Sequence, residues 1–588
     1  MPRLRVARAL LALGILLAPA WYAVWTLTSR ASGAIGNDPV TYTRMAIDLA
    51  ERGTPARAFP LLDVMREQGL SWAAALPVGY RLVAGREEAA PVFAFGAPLL
   101  LATAWRLAGE SGLYALTPLL GVAALLVTIV LARLALAALS LPRRSAVILL
   151  TALLMATTPK QLALAIVPMS DVPAQLASAL SLLLALLAER RADATGRAWL
   201  ARLIWLASGL ALGLAYLIRH SALLMVIPLL WLIWTWPVAQ LPDSRWRSLL
   251  WLALGAGLMM APDLVYRSIH LEHLAAVESP ESAVWDWAYV LPNALRMVSD
   301  LASWRGFGPL VALAVPGVAV MWRWAGRRAT VTLLLWLTAF AFFHLPLALT
   351  GVFENGLRYL MPAYPPLTLF IAAGCVGVAG RAAPILSGAL RWIIAGGIRR
   401  RCVRQMESAR IASAQSRPGG MSWRAGLRGA IWLALLVFCV GGLAFALRTL
   451  VKPPAPWHTY GWIGPTARAD LHRLARWLPP DAVIGASDQL LGAISLYTQR
   501  DVFRPAAFVA PAREFPRFLA AMCQAGRPVY VVGEPACLSD APADGIRDDE
   551  QLPGWLRGHV WQDAGLALRA LPFDCAQRVY RIAAPGDQ

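Results

Sequence analysis

Long apolar stretches alternate with short polar segments along most of this 588-residue chain. Many of the stretches approach the roughly 20 residues that an α-helix needs to cross the hydrocarbon core of a bilayer. We predict about eleven transmembrane helices, at residues 9–28, 113–138, 146–168, 172–188, 203–219, 221–237, 248–266, 309–323, 329–350, 359–379 and 429–450. A further apolar run, 92–108, is predicted to be a surface or re-entrant helix, because a twelfth span would move the later basic loops to the outer side.

The positive charges lie in short clusters between the apolar stretches. Lys and Arg number 54 against 34 Asp and Glu, a net charge of +20. With the N-terminus inside, the clusters fall on the cytoplasmic side, at residues 143–144, 189–202, 245–247, 323–328 and 381–428. This distribution favours contact with anionic membrane lipids over binding of nucleic acid. It predicts a multi-pass protein of a bacterial inner membrane whose first span is an uncleaved helix.

Composition excludes a soluble globular protein of this length, since 58% of the residues are hydrophobic, only 15% are charged, and the mean hydropathy is +0.56. After the last predicted span, the stiff connector Pro453–Pro456 leads into alternating short helices and strands. We therefore predict a mainly α fold, a polytopic transmembrane helical bundle with a small C-terminal periplasmic α/β domain. The expected divisions are a transmembrane domain 1–380 with a first outer loop 28–112, a basic cytoplasmic linker 381–428, a last transmembrane helix 429–450, and the periplasmic domain 456–588.

The six cysteines do not form a disulfide framework. Three of them lie in the C-terminal region, at Cys523, Cys537 and Cys575. At most one internal disulfide is expected there, in an oxidising compartment, and the pairing stays open.

The segment after the first predicted span carries a carboxylate, Asp38, directly before Pro39. Its periodicity predicts a short amphipathic helix along the membrane surface, opened by Asp38. The apolar face comprises Tyr42, Met45, Ala46 and Leu49, and the polar face comprises Arg44, Asp48, Glu51 and Arg52. Asp38 has two compatible interpretations, a helix N-cap and a general base held at the bilayer surface.

Asp171 is a second carboxylate on the predicted outer surface, and either it or Ser170 can cap the next span. Cations also lie within or at the edges of predicted spans, where charges are costly and tend to face cavities. We interpret Arg219 and Arg358 as functional, and Lys160 as snorkelling to the interface or paired with a carboxylate.

His270 and His273 lie one helical turn apart, a spacing that can hold a metal ion, although no third ligand is evident. No cofactor is predicted with certainty, and a divalent metal stays open. The chain has no phosphate-binding glycine loop, no nucleophile-elbow motif and no paired CxxC.

In their order and predicted topology, four short segments resemble the GT-C superfamily of integral membrane glycosyltransferases, above all the branch of protein O-mannosyltransferases and the lipid A aminoarabinose transferase. They are the helix from Asp38 to Gly53, Met169–Pro173, Gly209–Arg219 and Leu357–Pro365. The resemblance covers about residues 9–380. Many members have a Glu after the first-loop Asp, whereas this chain has Pro39, which argues against protein O-mannosylation.

The resemblance implies that a sugar moves from a polyprenyl-phosphate carrier to a lipid, glycan or protein acceptor of the cell envelope. Asp38 matches the general base, and Asp171 matches an aspartate that assists acceptor or metal positioning. Arg219 and Arg358 match basic positions that hold the lipid phosphate. We add Tyr359, Lys160 and Tyr42 to this predicted binding set.

Two other functions stay open at this point. A transporter or flippase for lipid-linked glycans is expected to show internal repeats and helices broken near the midplane. No repeat is evident here, and the polar residues cluster at the outer surface instead. Alternatively, the C-terminal domain is an assembly module and the membrane part its anchor.

Overall fold

The computed structural model describes most of the membrane part and much of the C-terminal region. The described residues are 2–71, 74–77, 79–83, 88–192, 198–235, 243–270, 285–351, 355–381, 440–441, 444, 446–456, 460–504, 514–532, 567–571 and 579–583. The basic linker after residue 381 and most of the last predicted span lie outside these residues. His273, Cys537 and Cys575 lie outside them too, so the possible metal pair and disulfide stay predictions; Cys523 is exposed and forms no disulfide with a described residue.

The helices are α1 Pro2–Thr28, α2 Asn37–Arg52, α3 Leu61–Glu67, α4 Gly96–Ala135, α5 Leu141–Thr157, α6 Pro159–Ala165, α7 Asp171–Ala192, α8 Ala198–Ile218, α9 Val226–Trp234, α10 Asp243–His270, α11 Val290–Ala302, α12 Ala314–Trp324, α13 Gly326–His344, α14 Asn355–Tyr359, α15 Met361–Arg381, α16 446–451, α17 Pro465–Trp477, α18 Asp488–Thr498 and α19 Glu514–Gln524. The strands are β1 Gly33–Ala34, β2 Arg57–Ala58, β3 Tyr80–Leu82, β4 Glu88–Pro91, β5 Trp462–Ile463, β6 Val483–Gly485, β7 Asp501–Phe503, β8 Val529–Val532, β9 Ala567–Leu571 and β10 Val579–Ala583.

Six helices in the described part of the chain are long and apolar enough to cross a membrane: Ala9–Thr28, Gly96–Ala135, Asp171–Arg190, Trp199–Ile218, Arg245–His270 and Met361–Arg381. The bent pair α5 and α6 makes a seventh if it forms one span, and two shorter apolar helices cover His220–Trp234 and Gly308–Trp324. The protein is thus built as a multi-pass membrane protein. The predicted count of about eleven spans stays a prediction.

Two breaks in the long apolar segments shape one end of the bundle. Helix α5 stops at Thr157, and α6 starts at Pro159 with a bend of 59°, since proline can begin a helix but interrupts one internally. Helix α4 is interrupted at Ala108 and Gly109, where Gly109 has a left-handed φ of 58°. The break separates 96–107 from the span that follows it, in agreement with the separate helix predicted over 92–108.

Helix α2 is enclosed on several sides, which corrects the predicted surface helix with a solvated polar face. Arg44 and Asp48 are both buried, although the periodicity placed them on the polar side. The reason is tertiary: α4 covers one side of α2, and α18 from the C-terminal region covers another. Arg44 donates a hydrogen bond to the Ser495 hydroxyl at 2.9 Å across that contact.

Three small sheets complete the part of the fold that the structure describes. In the segment between α2 and α4, β4 lies between β2 and β3 in an antiparallel sheet. The C-terminal region holds a five-stranded mixed sheet of order β7-β6-β8-β10-β9, in which β6 runs parallel to β7 and β8. The third sheet pairs β1 with β5, so Gly33 lies opposite Ile463 and Ala34 opposite Trp462. This pairing joins the C-terminal region to the loop that precedes α2.

Helices α8 and α10 approach each other closely because glycines line their contact. A Cβ at Gly255 would lie 2.2 Å from the Leu206 carbonyl oxygen, and one at Gly209 would lie 2.1 Å from the Leu252 carbonyl oxygen. Small residues of this kind let membrane helices pack backbone to backbone. The contact sets the position of the α8 C-terminus, which carries residues of the candidate site.

We expect Gly255→Ala to destabilise the protein, because the new methyl group meets backbone that cannot move independently of its helix. The expected loss is about 1–3 kcal/mol, the usual range for overpacking. Gly257→Ala on the same helix is the control, since its Cβ meets nothing within 4 Å and alanine is the better helix former by about 1 kcal/mol. Thermal unfolding in detergent measures both, and equal Tm values for the two variants would contradict the packing argument.

Candidate active site

The start of α2 presents Asp38 toward the end of the helical bundle. The N-cap of α2 is Gly36, with φ 80° and ψ 169°, and Asp38 lies inside the first turn. The predicted N-cap role of Asp38 is therefore wrong, because the chain enters the helix two residues earlier through a backbone conformation that favours glycine. A carboxylate in the first turn still interacts favourably with the helix dipole.

Asp171 is the first residue of α7 and is fully buried. Ser170 precedes the helix and accepts the Ala174 N–H through its carbonyl oxygen at 3.0 Å, so it stands at the cap position. The Asp171 carboxylate instead accepts hydrogen bonds from two guanidinium groups, Arg219 at the end of α8 and Arg358 in α14.

Arg358 bridges the two aspartates. Its Nε lies 3.1 Å from Oδ2 of Asp171, and its Nη2 lies 2.5 Å from Oδ2 of Asp38. Burial by itself would lower the pKa of Arg358, but the carboxylates of Asp171 and Asp38 outweigh burial and hold that pKa well above its usual value. The guanidinium is therefore permanently charged. Residues from three separate elements, α2, α7 and α14, thus form one ion-pair network.

Aromatic side chains surround this network. The Tyr359 ring lies beneath the Arg219 guanidinium at 5.2 Å and stacks on His344 with ring centroids 5.0 Å apart. Tyr42, one turn after Asp38, donates its hydroxyl hydrogen to the Ser170 hydroxyl at 3.1 Å. Burial, followed by the nearby Asp38 carboxylate, raises the pKa of Tyr42 to about 12. Tyr42 is therefore a neutral hydrogen-bond donor at physiological pH.

Lys160 lies at the bend between α5 and α6, not in mid-span as its place in the apolar run indicated. Its backbone N–H donates to the Arg305 carbonyl oxygen at 3.1 Å. Among the charges that act on its ammonium are those of Arg358 and Asp171, which places Lys160 at the edge of the network.

Only His270 of the possible metal pair lies among the described residues. That residue ends α10, and its ring lies 4.9 Å from the Tyr266 ring. Within the described ranges, no group of three or more His, Cys, Asp or Glu residues is arranged to hold a metal ion. Between Asp38 and Asp171, the cationic group is the Arg358 guanidinium itself.

The structure adds residues that the sequence patterns did not single out. Ser221 accepts a hydrogen bond from Nε of Arg219 at 3.3 Å. Beside it, the buried Asp263 carboxylate lies 3.1 Å from His220 Nε2 and 2.9 Å from Arg267 Nε. The sequence does contain one pattern that could have identified Asp263, its spacing from Arg267. A carboxylate and a guanidinium four residues apart on an apolar helix share one face.

Comparison with solved structures shows that the fold of this chain is similar to the folds of membrane glycosyltransferases. The structure of ArnT from Cupriavidus metallidurans in the apo state aligns with a TM-score of 0.54 and 14% sequence identity, covering 98% of each chain. The archaeal oligosaccharyltransferase AglB from Archaeoglobus fulgidus, in complex with an inhibitory peptide and a dolichol-phosphate, aligns with a TM-score of 0.50 and 14% identity, over 88% of this chain and 69% of that chain. These similarities confirm the resemblance at the level of the fold.

No protein-family model matches the sequence, and no curated protein sequence matches it.

Proposed function

We propose that this protein is a membrane glycosyltransferase that moves a sugar from a polyprenyl-phosphate carrier to a cell-envelope acceptor. The main observation in support of this proposal is the network of Asp38, Asp171, Arg219 and Arg358 at one end of a GT-C fold. The complex of AglB with a dolichol-phosphate supports a carrier of this chemistry. In the bacterial inner membrane, the network would face the periplasm, as the distribution of basic loops predicts.

The two aspartates differ in exposure, and this difference supports different roles for them. The Asp38 side chain is 20% exposed, whereas that of Asp171 is 0% exposed. Among the described residues, Asp171 accepts hydrogen bonds from two guanidinium groups and Asp38 from one. Asp38 is therefore the general base that an acceptor hydroxyl can reach. Asp171 is the buried anchor that orients both arginines.

Arg219 and Arg358 would bind the carrier phosphate. A guanidinium has five N–H donors, and in each arginine the contacts to carboxylates leave N–H groups available for a phosphate. Both side chains are partly accessible, at 12% and 15%. Lys160 at the edge of the network adds a third positive charge. This arrangement suits a headgroup that lies at the membrane surface because its tail is in the lipid.

The reaction follows from these positions. Asp38 takes the proton from the acceptor hydroxyl, and that oxygen forms a bond to the anomeric carbon of the sugar. The bond between the anomeric carbon and the phosphate oxygen breaks, and its electron pair leaves with the polyprenyl phosphate. Negative charge grows on the leaving phosphate, where fixed guanidinium groups stabilise it as it develops.

A turnover assay tests the proposal. Purified protein in nanodiscs is incubated with a panel of polyprenyl-phosphate-linked hexoses and pentoses and with envelope lipid and glycan extracts as acceptors. We expect release of polyprenyl phosphate together with labelled sugar on an acceptor. Movement of intact donor between leaflets of proteoliposomes, with no cleavage of any donor, would show a flippase instead.

The phosphate role of Arg219 makes a separate prediction. Arg219→Gln should weaken binding of undecaprenyl phosphate about tenfold or more, since charge-assisted contacts to phosphate are worth about 1.5–3 kcal/mol. Arg190→Gln is the control, because Arg190 lies near the opposite end of α7 and donates to the Leu134 carbonyl oxygen. Calorimetric titration of the lipid into both variants gives the Kd values. Equal affinities would remove Arg219 from the phosphate site.

A further inference from the structure

The segment after the proline connector contacts the start of the helix that carries Asp38. The Tyr460 hydroxyl accepts a hydrogen bond from the Asn37 backbone N–H at 3.0 Å. The backbone N–H of Asp38 is a second hydrogen-bond donor to the same hydroxyl. Amide groups of the first helical turn have no partner inside their helix. Tyr460 therefore provides the capping acceptor that Gly36, which has no side chain, does not.

Two glycines make this approach possible. A Cβ at Gly36 would lie 2.8 Å from the Tyr460 ring, so only glycine leaves room for the ring at the N-cap. Gly461 has a left-handed φ of 87°, and a Cβ there would lie 2.3 Å from Cγ of Pro39. The chain on either side of Asp38 is thus held between the Tyr460 ring and the Gly461 backbone.

The contact belongs to a larger junction. Ile35 donates its N–H to the Gly461 carbonyl oxygen at 3.3 Å, and β5 pairs with β1 immediately before α2. Further from Asp38, the Tyr497 hydroxyl accepts the Ala34 N–H at 2.7 Å. Pro39, where many members of the resembled superfamily carry a glutamate, provides the apolar surface on which Gly461 packs.

We propose that Tyr460 is a positioning residue, which holds the first turn of α2 so that the Asp38 carboxylate faces the substrate, and that the C-terminal region is thereby a working part of the active site. The catalytic half of this inference rests on the proposed glycosyl transfer. If the C-terminal region were an independent assembly module, a hydrogen bond from it to the first turn of α2 would not be expected.

Tyr460→Phe tests the proposal with two readouts on the full chain. Hydrogen–deuterium exchange of a peptide covering residues 35–45 should become faster by about tenfold at the Asn37 and Asp38 amides, which lose their acceptor. In the turnover assay, kcat should fall about tenfold with the donor KM unchanged, because small displacements of a catalytic group have effects of this size. Tyr497→Phe is the matched control in the same junction, expected to lower Tm with kcat unchanged.

A second pair of variants separates contact from backbone strain. Gly461→Ala adds a methyl group against Pro39 at a left-handed residue, whereas Gly526→Ala adds one at φ 66° with nothing within 4 Å. We expect only Gly461→Ala to lower kcat per folded molecule.

The outcomes are distinct from failure of the proposed function. Unchanged exchange at Asn37 and Asp38 in Tyr460→Phe overturns the cap, whether or not the protein has transferase activity. Faster exchange with unchanged kcat overturns the positioning role. A wild-type protein that cleaves no polyprenyl-phosphate donor overturns the proposed function and the catalytic half of this inference, while the exchange experiment still decides the cap.

Discussion

Asp38→Asn should lower sugar transfer by about 10³-fold or more, within the usual range for loss of a general base that acts together with fixed electrostatic groups. An asparagine cannot take the acceptor proton, yet its amide oxygen still accepts a hydrogen bond from Arg358. The protein should therefore fold, insert and bind the carrier lipid. Transfer is measured on purified protein as label reaching the acceptor, with the amount of folded protein taken from gel filtration.

Asp48→Asn is the matched control for that experiment. It makes the same chemical change on the same helix, at a carboxylate that is 3.6 Å from Arg52 and not part of the Asp38 network. We expect near wild-type transfer from this variant. An Asp38→Asn protein with wild-type transfer would remove Asp38 as the base, and another group would then have to take the acceptor proton.

Arg358→Met should have the second large effect, on both stability and activity. It removes the cation that separates Asp38 from Asp171 and leaves one carboxylate fully buried with Arg219 as its remaining partner in the network. Breaking a buried ion pair by removing one partner destabilises a protein by about 3–5 kcal/mol. Activity per folded molecule should also fall, since the leaving phosphate loses a fixed positive charge.

Two comparisons sharpen the Arg358 prediction. Arg358→Lys keeps the charge but cannot form the forked contact to two carboxylates, so it should restore stability more than activity. Arg328→Met is the control, because Arg328 pairs with the single carboxylate of Glu189 at the far end of α7 and is 31% exposed. Thermal unfolding and turnover are measured on all three variants. If Arg358→Met unfolded at the same temperature as the wild-type protein, the bridge would not be a stabilising element.

The ion pairs of the site also constrain how a donor can bind. Arg219 and Arg358 already contact carboxylates, so under the proposed function the carrier phosphate would join two existing ion pairs instead of filling an uncompensated cationic pocket. Its negative charge would then compete with Asp38 for Arg358. Such competition would free the Asp38 carboxylate from Arg358 when the donor binds. Donor binding would then make Asp38 available to take the proton of the acceptor.

The sequence determined the class of fold and the members of the central network. Apolar stretches of bilayer length leave a membrane bundle as the only way to bury this much apolar surface. Charges are costly beside such stretches, so Asp38, Asp171, Arg219 and Arg358 were visible as exceptions. Their order along the chain then indicated the GT-C fold.

The tertiary structure decided how those residues connect. Nothing in the local pattern shows that one guanidinium bridges two aspartates 133 residues apart (171 − 38). The cap of α2 was predicted wrongly because Asp before Pro is a favourable cap signal, yet a glycine held against Tyr460 starts the helix earlier. Arg44 and Asp48 were assigned to a solvated face because periodicity carries no information about the α18 helix that covers them. Local sequence shows which charged residues cost free energy when they are buried. Only long-range packing decides which partners make that burial favourable.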